Sequence, residues 1–202
     1  MTSLYNPTQI AVSDGHGDHP GVRGFTTQLK AIQKTLPLRV LSEADWHHWI
    51  TRGYVIVRDA APLGQTEAVV DMLWEFQEMD RNDPSTWYQP QRREHRMKEL
   101  NNTGMVEVYN HQSLWETRQN PRIYDAFVDI WDREDLWVAI DRANLNPPNK
   151  AAGEKGQVDG FIHVDVDISE RPLPISVQGV LSLKPQRKEI GGFQCVPEIF
   201  AD

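Results

Sequence analysis

The stretch Gly160–Ser169, "GFIHVDVDIS", decides how this chain is read. Its alternation places Ile162, Val164 and Val166 on one side of an extended strand and His163, Asp165 and Asp167 on the other. Residues two apart on a strand are roughly 6.5 Å apart along the backbone, so an imidazole and a carboxylate at that spacing can lean together around one cation. Imidazole with carboxylate suits first-row divalent metals, and two histidines with one carboxylate on one face is the arrangement of non-haem iron(II) oxygenases. Asp167 does not complete the set, because it stands roughly 13 Å along the strand from His163. The same alternation also describes the wet face of a half-exposed strand.

A second histidine has to come from another segment. No histidine follows His163, and the earlier ones are His16, His19, His47, His48, His95 and His111. His111, in "VYNHQSLW", is the best placed of these to approach a pocket, as a contact to substrate.

Outward from the His-Asp pair, the second half of the chain has a strand-rich texture. "LWVAIDRANL" (136–145), "GFIHVDVD" (160–167), "ISVQGVLSL" (175–183) and "GGFQCVP" (191–197) are short β-like runs separated by Pro, Gly and charged loops. Their alternation predicts antiparallel strands with one packed face. The first half reads as helices. In "LSEADWHHWITRGYVIVRDA" Ser42 and Asp45 form a capping signal, Trp46, Trp49 and Ile50 follow at helical spacing, Gly53 ends the helix, and "YVIVRD" is β-rich. "GQTEAVVDMLWEFQEMD" offers Val69, Val70, Leu73, Trp74 and Phe76 as one apolar side. "MVEVYNHQSLWETRQNPRIYDAFVDIW" (105–131) reads as a short strand and then one or two helices, with Pro121 suited to a first turn.

Composition bounds the function. A chain of 202 residues with 21 basic and 29 acidic side chains carries a net charge of -8, which disfavours nucleic acid and anionic membranes as partners. The basic cluster Arg92, Arg93, Arg96 and Lys98 is interleaved with Glu94 and Glu99 and reads as a solvated face or a lid over an anionic substrate. The single cysteine, Cys195, permits no intrachain disulfide and is expected to be a buried, inert thiol in a reducing, cytoplasmic setting. No stretch of 18 apolar residues predicts a membrane span, and the start of the chain lacks the pattern of a secretory signal. Residues 1–24, rich in Gly, Asp and His, are expected to form a flexible arm ahead of one domain over 25–202.

Taken in order, "LWVAIDRANLNPP", "GFIHVDVD", "VQGVLSL" and "GGFQCVPEIF" resemble the phytanoyl-CoA dioxygenase family of iron(II)- and 2-oxoglutarate-dependent oxygenases. "MVEVYNHQSLWETRQNPRIYDAFVDIW" resembles it as well, so the similarity runs over nearly everything after residue 40. The resemblance implies a mostly β fold with N-terminal helices, a double-stranded β-helix (jelly roll, cupin-like). It implies His163 and Asp165 as the first two metal ligands, Fe(II) and 2-oxoglutarate as cofactors, and a small organic substrate. In the family the third ligand and the arginine that pairs with 2-oxoglutarate lie further on, so the fold is expected to be truncated at its C-terminus, with a second chain as one source of the missing strands. Arg142 and Asn144, after the "LWVAI" run, and Gln178 are candidate cofactor contacts, and Trp137 is a candidate wall of the substrate pocket. The rival reading is a non-catalytic β-sandwich binding module or an inactive fragment.

Overall fold

The computed structural model describes residues 33–89, 104–148, 162–165, 167, 169, 177–187, 190 and 192–198. Helix α1, Glu43–Arg52, forms where the local chemistry predicts it. The Ser42 hydroxyl accepts the Asp45 N–H at 3.1 Å, and the Asp45 carboxylate accepts the Ser42 N–H at 3.0 Å. At the other end Gly53 takes a left-handed conformation (φ 76°) and its N–H closes on the Trp49 carbonyl. Helix α2, Leu63–Phe76, buries Val69, Met72 and Leu73. Helix α3, Gln112–Arg118, is capped by His111, and helix α4, Pro121–Trp131, begins on a proline behind the Asn120 cap.

The helices pack in two pairs around two apolar clusters. Helix α1 lies on α4 through Leu41, Trp46, Trp49 and Ile130, with Val177 packed against them. Helix α2 lies on α3 through Val69, Leu73 and Leu114, and Val106 and Leu183 join this second cluster. One extended run, 177–183, therefore reaches both cores, Val177 touching the first and Leu183 the second. Near its middle, Gly179 runs so close to Phe127 that a Cβ there would stand 3.0 Å from the ring.

Two carboxylates at the end of α4 hold the segment that leads into α1. Asp129, fully buried, accepts the backbone N–H groups of Arg39, Val40 and Leu41 at 2.9, 2.8 and 2.8 Å. Asp132 sits in the left-handed position that ends α4 and accepts the Leu36 N–H at 2.8 Å, the Thr35 N–H at 2.8 Å and the Thr35 hydroxyl, with Lys34 Nζ at 3.0 Å. Burial works to raise the Asp132 pKa, but the hydrogen bonds from Thr35, Leu36 and Lys34 outweigh it and bring it from 3.8 down to about 2. A carboxyl depressed in the folded state stabilises above its unfolded value and loses that contribution as pH falls through the folded one. Stability should therefore drop by ~1–2 kcal/mol between pH 4 and pH 2 through this group, a slope that Asp132→Asn should flatten in acid titrations followed by circular dichroism.

The β-rich expectation is corrected. Among the described residues 36% are helical and 3% lie in strands, forming one two-stranded sheet, so the fold is neither mostly β nor a jelly roll. That sheet pairs β1, Met105–Val106, antiparallel with β2, Ala143–Asn144. Gly104 (φ 77°) precedes it, where a side chain would collide with Asn146. The physical reason lies in what alternation encodes. It describes an extended backbone with two unlike faces, whereas a strand also needs a neighbour to complete its ladder. The run 54–58 shows the distinction: Val55 and Val57 tuck against the Trp46–Trp49 cluster and Ile56 points outward, all without strand pairing. Trp137, placed as a pocket wall, is 96% exposed, and Val138 and Ile140 beside it are exposed too. Cys195 is likewise exposed rather than buried. Residues 1–24, His16, His19, His95 and the basic cluster at 92–98 lie outside the described residues.

Candidate metal centre

His163 and Asp165 face one another. The chain bends at Asp165 and sets His163 Nε2 3.2 Å from Asp165 Oδ1. Two donors each ~2.1 Å from one octahedral ion and at right angles to each other stand ~3.0 Å apart, close to the observed gap. It also fits a plain ion pair. The two side chains are 51% and 54% exposed, so they meet on the surface and not in a closed cavity.

The second carboxylate oxygen is engaged as well. Asp165 Oδ2 accepts a hydrogen bond from Gln178 Nε2 at 2.6 Å. Asp167 turns away into a local turn, where it accepts the Ser169 N–H at 2.9 Å and the Ser169 hydroxyl at 2.6 Å. Those bonds hold its carboxyl below the usual range. Among the described residues no group of three or more His, Cys, Asp or Glu side chains gathers around one point. The chain's own described residues thus supply two donors, one nitrogen and one oxygen.

The other sequence-derived candidates make contacts of their own. His111 is the cap of α3, its Nδ1 accepting the Ser113 N–H at 3.3 Å and lying 2.9 Å from the Ser113 hydroxyl. Asn144 sits in β2 opposite Met105. Arg142 reaches the Tyr109 hydroxyl at 3.5 Å, a contact that raises its pKa against the opposing effect of burial, and lies 3.7 Å from the Asp141 carboxylate. The same corner holds Arg118, which sequence reading passed over. It donates to the carbonyls of Tyr109 (2.7 Å) and Asp141 and lies 5.3 Å from the Trp115 ring, and burial lowers its pKa. The signal for this corner is slight, because Arg118 makes its bonds to backbone oxygens that leave no mark in the sequence.

No protein-family profile and no solved structure matches the chain. It is similar to "Ava biosynthesis cluster protein O" of Aspergillus versicolor, at 26% identity over 155 residues, covering 73% of this chain and 48% of that protein. The chain spans about half the length of this curated relative. No helix among the described residues is long and apolar enough to cross a membrane.

Proposed function

We propose that the chain contributes the metal-binding pair of an iron(II)- and 2-oxoglutarate-dependent oxygenase acting on a small organic molecule, in line with the phytanoyl-CoA dioxygenase-like segments of its sequence. The observation that carries this reading is the approach of His163 Nε2 to Asp165 Oδ1, at a spacing that suits two adjacent positions on one ion. The relative's name places that protein in a biosynthesis cluster, which is the kind of setting where such an oxygenase would act. When bound, iron(II) supplies oxygen activation coupled to decarboxylation of 2-oxoglutarate. The protein's share is to set the imidazole nitrogen beside the carboxylate oxygen. The helical fold adds no support of its own, and the reading rests on these two side chains and the segments around them.

The described residues supply two donors, and further ligands would come from elsewhere in this chain or from a second one. Mixing the protein anaerobically with iron(II) and 2-oxoglutarate tests the proposal. A weak visible charge-transfer band that disappears in Asp165→Ala is the expected result. A second reading, a non-catalytic binding module, draws on the half-exposed setting of the pair. A folded sample that shows no band supports that module and overturns the oxygenase.

A further inference from the structure

We propose that the corner between α3 and the segment leading into β2 binds a small organic carboxylate, held by the guanidinium groups of Arg118 and Arg142.

Both guanidiniums come to the same two residues. Arg118, in the last turn of α3, donates to the carbonyl oxygens of Tyr109 (2.7 Å) and Asp141. Arg142 reaches the Tyr109 hydroxyl at 3.5 Å and lies 3.7 Å from the Asp141 carboxylate. The small sheet explains the meeting. Its antiparallel register sets Met105 against Asn144 and Val106 against Ala143, so the chain just before β2 runs back beside the chain just after β1.

Arg118 is held in place and lacks a close counter-charge. Two of its five N–H donors go to carbonyls and its fork lies 5.3 Å from the Trp115 ring, which fixes its plane. The side chain is half-buried, and among the described residues no carboxylate forms an ion pair with it. Burial pushes its pKa down, and the more distant Asp141 offsets only part of that effect. A partly buried charge without a partner is unfavourable, and an incoming anion relieves it.

Arg142 is compensated loosely. Its side chain is 29% exposed, whereas that of Asp141 is 79% exposed, and Asp141 Oδ1 already accepts the Arg142 backbone N–H at 2.7 Å. Such an exposed pair is weak. Two cations against one solvated carboxylate leave a surplus of about one positive charge, within a chain whose net charge is -8. A single carboxylate balances that surplus, and its two oxygens match a guanidinium fork, while a phosphate dianion exceeds it. The corner does not draw on the His163–Asp165 pair, so the metal reading and this site stand or fall separately.

Saturation-transfer NMR on the full chain, with sodium propionate as probe, tests the site. The wild type should pass saturation to the propionate methyl group. Arg142→Gln should weaken the affinity about 10-fold or more at an unchanged melting temperature. Arg118→Lys, which keeps the charge and loses the fork, should weaken it too, and it decides the matter if the first variant does not fold. Absence of transfer in the wild type, or wild-type affinity in the folded variants, overturns the site. Displacement of propionate by an equal concentration of sodium chloride overturns it as well, because the effect is then general charge screening. Inorganic phosphate competing more tightly than propionate overturns the carboxylate as the ligand class.

Discussion

Asp129→Ala is expected to lower the unfolding free energy by ~3–5 kcal/mol, a large share of the stability of an ordinary domain. The carboxylate is fully buried and accepts three consecutive backbone N–H groups, from Arg39, Val40 and Leu41. Alanine leaves all three donors without this acceptor, and a buried donor without a partner, as at Leu41, costs roughly 1–3 kcal/mol. The damage spreads beyond the bonds themselves, because Leu41 belongs to the cluster that joins α1 to α4. Asp129→Asn should cost less, about 2 kcal/mol, since one oxygen survives to accept while the new NH2 opposes a donor. Urea unfolding of the two variants beside the wild type measures both numbers. A loss under 1 kcal/mol in Asp129→Ala would show that the 39–41 segment is not held as described.

The largest functional effect is expected at the metal pair. Asp165→Ala or His163→Ala should each weaken iron(II) binding by at least about 100-fold, beyond the range seen when only an outer partner of a ligand is removed. With two described donors, one nitrogen and one oxygen, each substitution leaves a single protein contact for the ion. Both side chains are about half exposed, so neither change should disturb the two apolar clusters, and the melting temperature should hold within a degree or two. Equilibrium dialysis under anaerobic conditions reads the affinity directly.

What the sequence made legible follows the range of the interaction involved. The Ser42–Asp45 cap, the Trp46 and Trp49 stripe, the stop at Gly53 and the start at Pro121 were all readable, because each depends on residues within one turn. The β-rich runs misled because pairing is a long-range event. Residues 136–140 carry the pattern of a strand, yet the pairing nearby among the described residues, at 143–144, is with residues almost forty positions earlier. Asp129 was invisible for a related reason. It lies on the apolar side of an amphipathic helix, and its partners are backbone N–H groups 88 to 90 residues away. Within the candidate site, the approach of His163 to Asp165 was readable from their spacing. The Gln178 bond was not, since a glutamine thirteen residues on gives no sign of which way its amide will turn.

X-ray absorption at the iron edge, on protein loaded anaerobically with one equivalent of iron(II), tests the shared ion most directly. The wild type should show the scattering pattern of a coordinated imidazole, and His163→Ala should show it weakened or lost. A wild-type spectrum without that pattern, or a His163→Ala spectrum that matches the wild type, would mean that iron does not sit at this histidine.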